Sequence, residues 1–196
     1  MKTCVVAFSG GLDTSFLVPF VKEKYGFNRV ITCTVNTGGF SEEELQAIAA
    51  RSKELGADEH MCFDETEAFC SDIIKYLILG NVTRDGYPLC VGSERLIQGR
   101  RVASFAKEHG ALVHGSTGAG NDQYRFDLVA RVIGVECYAP VRELSVSKDF
   151  STDYLKKHGI NVPQKNTSYS YNVGLWGVSI GGKETLTING LIQDDA

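Results

Sequence analysis

Strand-like and helix-like segments alternate through the first half of this chain, and no other feature constrains its fold as much. Residues 5–8 are a short continuous apolar run, as expected of a strand buried on both faces. A glycine turn follows, and then Phe16, Leu17, Phe20 and Val21 fall on one helical stripe. Residues 30–35 are β-branched and predict a second strand. Ser41 followed by Glu42, Glu43 and Glu44 has the form of a helix N-cap with an acidic first turn. Residues 60–63 predict a weaker third strand. Residues 65–79 predict a helix on Phe69, Ile73 and Leu77. Residues 93–109 predict another helix, which Gly110 ends, and 111–113 a further strand. Such alternation predicts an α/β fold, a parallel sheet with helices on both faces.

Past about residue 145 the pattern changes. Residues 148–158 predict one more helix. Beyond Pro163 the chain is polar, Gly-rich and aromatic, which predicts an extended C-terminal arm or hairpin, and Gly181-Gly182 predicts a turn. The expected division is a first domain over residues 1–163 and an arm over 164–196.

Composition narrows the function classes. With 43% hydrophobic and 22% charged residues, the chain can build a real core. Its net charge of −4, with both signs mixed along the chain, argues against a nucleic-acid partner, which needs a basic face. The start has no signal-peptide architecture, and no apolar run approaches the roughly 18 residues of a membrane helix, so a cytoplasmic protein without a membrane partner is expected. The six cysteines (Cys4, Cys33, Cys62, Cys70, Cys90, Cys137) form no CxxC pair and read as reduced, buried small hydrophobes. The four histidines supply no ligand cluster, so no structural metal is expected.

In an open parallel sheet, ligands bind at the carboxyl ends of the strands. Two Gly-rich segments fall on that edge. The first, Ser9-Gly10-Gly11-Leu12-Asp13-Thr14-Ser15, follows a strand and opens a helix. Its glycines permit close backbone approach, and successive N–H groups at a helix start make an anion site. Asp13 inside such a site either orders the loop or holds Mg2+. The segment is neither a Walker A loop nor GxGxxG. The second, His114-Gly115-Ser116-Thr117-Gly118-Ala119-Gly120-Asn121-Asp122-Gln123, has Arg125 just beyond it. Asn121 and Arg125 lie four apart on one helix face, where an arginine is suited to clamp a carboxylate. Asn121 or Asp122 can also serve as a helix cap.

The first segment resembles the hallmark loop of the PP-loop ATP pyrophosphatases. That likeness implies an adenine nucleotide α-hydrolase-like, Rossmann-like fold and attack at the α-phosphorus of ATP, giving AMP and pyrophosphate. The second segment resembles the STGKGNDQxRF signature of the argininosuccinate synthases. NTGGFS at 36–41, YPL at 87–89, Ser93, APVRE at 139–143, KKHGI at 156–160 and SYSYNVGLWGVS at 168–179 extend that resemblance over nearly the whole chain.

The resemblance implies a ligase that joins citrulline and aspartate through a citrullyl-adenylate, with ATP and Mg2+. ATP would lie on Ser9, Gly10, Gly11, Leu12, Asp13, Thr14, Ser15, Val35 and Gly115. Aspartate would be held by Thr117, Asn121 and Asp122, and citrulline by Tyr87, Ser93, Asn121, Arg125, Ser170 and Ser179. Asp13, Asn121 and Asp122 are the groups expected nearest the chemistry.

The family is about twice as long as this chain. Its second half supplies a further glutamate and tyrosine for citrulline and the arm of a homotetramer. Ala119 stands where many members carry lysine, and the step from Tyr87 to Ser93 is one residue longer than in some. Two other readings compete. One is a truncated, non-catalytic nucleotide-binding module. The other is a different PP-loop adenylating enzyme such as a tRNA thiolase, which would need a catalytic thiol and a basic RNA-binding face.

Overall fold

The computed structural model describes residues 2–162, 170–182, 187 and 189–191. Five parallel strands form the central sheet: β1 (Thr3–Ala7), β2 (Arg29–Asn36), β3 (Glu59–Asp64), β4 (Ala111–Val113) and β5 (Cys137–Tyr138), in the order β3-β2-β1-β4-β5. The first four are the predicted ones, with ends moved by two residues at the start of β1 and by one or none elsewhere. The exception to the sequence reading is β5, whose two residues are too short for a periodicity to show.

Alternation of side chains across β1 and β2 makes two cores. Cys4, Val6 and Val30 face one side, where they meet Phe16, Leu17, Phe20 and Val21 of α1 (Leu12–Tyr25), Ile48 of α2 (Glu42–Glu54) and, from farther along the chain, Leu155. Val5, Ile31, Cys33 and Val35 face the other, against Val102, Ala103, Ala106 and Ala130. Helices therefore cover both faces, as the alternation requires. The predicted cap at Ser41 is present as a full capping box: its hydroxyl accepts from Glu44 N–H, and the Glu44 carboxylate accepts from Ser41 N–H.

The predicted helix over 65–79 is a composite. α3 (Thr66–Phe69) passes through a π-helical segment (Cys70–Ile74) into α4 (Lys75–Leu79). The expected stripe of Phe69, Ile73 and Leu77 does face inward, with Phe69 buried and the other two half-buried, but Ile74 joins it. Phe69 and Ile74 are buried together against Ile97, and a π turn is what brings residues five apart onto one face.

The long helix α5 (Cys90–His109) begins three residues before the predicted start, with Leu89 as N-cap. Ser93 is therefore inside the helix, and its hydroxyl donates to Cys90 C=O at 2.8 Å. α6 (Asp122–Ile133), α7 (Pro140–Glu143) and α8 (Lys148–Lys157) follow; α5 and α6 share the second core, and α8 carries Leu155 into the first.

The C-terminal segment forms an antiparallel hairpin, β6 (Ser170–Gly174) and β7 (Gly177–Gly181). Its turn is at Leu175 and Trp176; Gly181 is the last residue of β7, and the turn expected at Gly181-Gly182 runs beyond the described residues. The proposed division at 163/164 lies outside the described residues. The hairpin packs back on the domain. Trp176 Nε1 donates to Pro88 C=O at 2.7 Å while its ring joins the Phe69–Ile74–Ile97 cluster, and Leu175 lies against Gly38. The cysteines divide differently from expectation. All six are free thiols, but Cys62 and Cys70 are exposed and Cys137 is half-buried. Cys62 sits on β3, the edge strand, whose alternate residues face solvent.

Candidate functional site

β1 and β4 are neighbours although far apart in sequence, so the segments that leave their carboxyl ends are brought side by side at the point where strand order reverses. Gly10 has φ +73°, a left-handed conformation that suits glycine, and turns the chain from β1 into α1. Within the loop, Thr14 Oγ1 lies 3.3 Å from Ser9 Oγ and donates to Gly11 C=O at 3.2 Å, and Ser15 N–H donates to Gly11 C=O at 2.8 Å. Gly11 is the N-cap of α1 and provides no side-chain cap, while the first N–H groups of a helix have no partner inside it. Gly115 lies directly opposite. A Cβ there would stand 3.3 Å from Asp13 Cβ and 3.4 Å from Thr14 Cγ2. The two loops thus form a cradle of backbone N–H groups and hydroxyls whose shape depends on a missing side chain, and its donor set fits phosphates. Burial pushes the Asp13 carboxyl above its ordinary range, with Lys148 partly offsetting the shift. Val35, the other residue expected at ATP, is buried near the end of β2.

The residues expected at the amino-acid substrates fall in two groups. Thr117, Asn121, Asp122 and Arg125 run from the second loop into α6. Asn121 occupies the N-cap position but makes no side-chain capping bond; Thr117 and Asn121 are exposed. Arg125 donates to Asp122 Oδ1 at 2.6 Å. Arg125 also lines, with Gly92, Ser93, Tyr76, Leu77 and Leu96, a groove of about 400 Å3. Tyr87 lies at the start of α5, where its hydroxyl accepts from Val91 N–H at 3.2 Å. The hairpin residues are the second group. Ser179 pairs in register with Asn172, and the backbone of Ser170 pairs with Gly181.

Three groups that sequence reasoning left without a role hold these pieces in place. His114, 1% exposed, accepts Ser116 N–H at Nδ1 (3.3 Å) and so donates from Nε2 to Asp127 Oδ1 (3.0 Å). Arg142 donates to Asp127 Oδ2 at 2.6 Å. Burial lowers the imidazole below its ordinary value, more than Asp127 raises it, so it is neutral. His114, Asp127 and Cys137 offer ligand atoms within 4.8 Å of one another. The Asp127 charge is already matched by Arg142, however, and burial pushes the Cys137 thiol up to about 12, so the group reads as a brace between β4, α6 and α7.

On α5, Glu94 is buried with its carboxylate against Gly174 and the backbone of Leu175; burial pushes it up, with Arg95 offsetting. Beside it, Arg95 and Gln98 form a second chain of contacts. The only sequence signal for that pair was their i, i+3 spacing on a helix already known to carry Ser93.

Fold and cradle together define an α/β nucleotide-binding domain of the HUP type, with a phosphate-type loop after the first strand. Comparison with known proteins makes this specific. Residues 3–161 match the family model described as "Arginosuccinate synthase N-terminal HUP domain". The chain belongs to the argininosuccinate synthase family. It is 37% identical over 184 residues to the argininosuccinate synthase of Methanosarcina barkeri, covering 92% of this chain and 46% of that protein. It is 40% identical over 183 residues to that of Archaeoglobus fulgidus, covering 91% and 46%. The chain thus spans about half the length of the curated relatives it matches. Among solved structures, the NH3-dependent NAD synthetase of Campylobacter jejuni is similar with a TM-score of 0.58 at 15% identity, over 81% of this chain and 65% of that one, which is a likeness of fold.

Proposed function

We propose that this chain supplies the adenylation half of an argininosuccinate-forming ligase. It would bind ATP between the Ser9–Ser15 loop and Gly115, with Val35 closing the nucleotide side, and would present citrulline and aspartate from the second loop, the start of α5 and the hairpin. The observation that carries this reading is the Asp13–Gly115 contact: two Gly-rich loops from adjacent parallel strands meet where a phosphate chain and a second reactant must meet.

In this reading the ureido oxygen of citrulline attacks the α-phosphorus of ATP. Pyrophosphate leaves, and a citrullyl-adenylate forms. The aspartate amine then attacks the ureido carbon; AMP departs with the ureido oxygen, the amine loses its proton, and argininosuccinate results. Asp122 and Asn121 would hold the amine side and Arg125 a carboxylate. The loop N–H groups would take the charge developing on pyrophosphate, where fixed donors are most effective. Mg2+ would neutralise phosphate charge, with Asp13 as the carboxylate nearest the loop.

The burial of Cys4, Cys33 and Cys137 pushes their thiols up to about 12, the reverse of an activated thiolate, so these three give the thiolase alternative no nucleophile. A cytoplasmic setting and a homo-oligomer completed by the other half of the family's architecture belong to the same proposal. Among the described residues no helix is long and apolar enough to cross a membrane.

The test is pyrophosphate release from ATP and Mg2+ by the isolated chain, first alone, then with citrulline, then with aspartate. Release that depends on citrulline is the expected result. ATP binding without citrulline-dependent release would instead make the chain a nucleotide-binding module of the same lineage.

A further inference from the structure

We propose that Arg95 is a positioning residue that locks the aspartate-side carboxylate and the C-terminal hairpin into one frame. This rests on the ligase reading above and adds a residue to it. From the middle of the first half of α5, one guanidinium reaches two other elements and a neighbour on its own helix. Nε donates to Asp122 Oδ2 at 3.2 Å, Nη2 to Asn172 Oδ1 at 3.2 Å, and Nη1 to Gln98 Oε1 at 2.5 Å. Gln98 then carries the contact to the end of β2, donating from Nε2 to Thr37 Oγ1 at 3.2 Å and to Val35 C=O at 3.4 Å.

Asp122 consequently has both oxygens engaged, Oδ1 by Arg125 and Oδ2 by Arg95, which fixes its rotamer. Two cations around one carboxylate also leave a surplus positive charge where a dicarboxylic amino acid would bind. Asn172 sits opposite Ser179 in the hairpin register, so the same guanidinium sets how closely the hairpin serine approaches. The arrangement differs from an ordinary surface ion pair, because the Arg95 side chain is only 23% exposed and its fork is shared by groups from α6 and β6. Without Arg95, Asp122 would be free to turn toward Arg125 alone, and the hairpin would lose its polar tie to the second loop. Trp176 and Glu94 would still dock the hairpin, so the fold should survive.

The experiment titrates ATP with Mg2+, and then L-aspartate onto the ATP-loaded chain, by calorimetry. It uses the wild type, Arg95→Met, Arg95→Lys, Asn172→Ala, and the double variant Arg95→Met/Asn172→Ala. Arg95→Met is expected to weaken aspartate by about tenfold or more, the size of a lost charge-assisted hydrogen bond, and to leave ATP within about twofold. Arg95→Lys should restore part of the loss. Asn172→Ala should weaken aspartate by about threefold although it touches Asp122 only through Arg95, and should add nothing once Arg95 is gone. A merely structural Arg95 would not produce that non-additivity. Unchanged aspartate binding in Arg95→Met, or additive effects in the double variant, would overturn the inference while leaving the ligase reading in place. A wild type that binds ATP but not aspartate would overturn that reading, and this inference with it.

Discussion

His114 shows how a single buried side chain can fix a loop by what it is unable to do. Its Nδ1 accepts a loop N–H, so its one proton must sit on Nε2 and face Asp127. Protonating Nδ1 would remove that acceptor. Burial holds the imidazole below its ordinary value of 6.5, with Asp127 and Glu143 acting the other way and Arg142 reinforcing burial. An unfolded chain takes up this proton near pH 6.5 and the folded chain does not, so the contribution is complete above 6.5 and is lost as pH falls toward the folded value. His60, also lowered by burial, adds a share of the same sign. Melting temperatures of the wild type and His114→Asn, taken from about pH 8 to about pH 5.5, should show the wild type losing more stability across that interval than the variant. Parallel curves would show that His114 is not the group that titrates.

The hairpin is the element whose placement depends most on others. Gly39, in the loop after β2, lies so close to the Val173 carbonyl and Gly174 Cα that a Cβ would overlap backbone atoms. Gly39→Ala should therefore push the hairpin off the loop, with a loss of roughly 1–3 kcal/mol typical of overpacking. Trp176 is the single tryptophan and is part of the turn, so its emission should shift to the red; an unchanged spectrum and melting temperature would mean that the loop yields instead.

Such placement could not be read ahead. The sheet, both Gly-rich loops and the capping box were legible because each is written in consecutive residues: an apolar run, a turn, a cap. β5, the π segment and the hairpin turn were not. Two residues carry no period, the π segment is where Phe69 and Ile74 both meet Ile97, and the turn at Leu175 and Trp176 is set by its contacts with α5 and the residues before it, where Trp176 meets Pro88 and Gly174 leaves room for Glu94. For the same reason Gly115 and Asp122 could be singled out from sequence, but not Arg95, Asp127 or Arg142, whose partners come from other elements.

At the scale of the whole molecule, the cradle links the two halves of the sheet, so whatever fills it should stabilise the domain as a unit. Ligand present at a hundredfold its dissociation constant adds about 2.7 kcal/mol, which for a domain of this size corresponds to a rise in melting temperature of about 5–10 °C. Scanning the chain with and without saturating ATP and Mg2+ checks this directly, and an unmoved transition would show that the cradle is not a nucleotide site.

The strand order has a consequence for synthesis. Cys4 pairs with Ala111, and Leu112 in turn pairs with Cys137, so the middle strand of the sheet leaves the ribosome well before its partner on one side. Until β4 emerges, the nascent chain holds β1, β2 and β3 with β1 as a second open edge and half a binding site. The phosphate loop is made early, but it has nothing to close against until residues beyond Gly115 have been translated. A growing chain of this kind has no use for its nucleotide until most of the domain is already outside the exit tunnel.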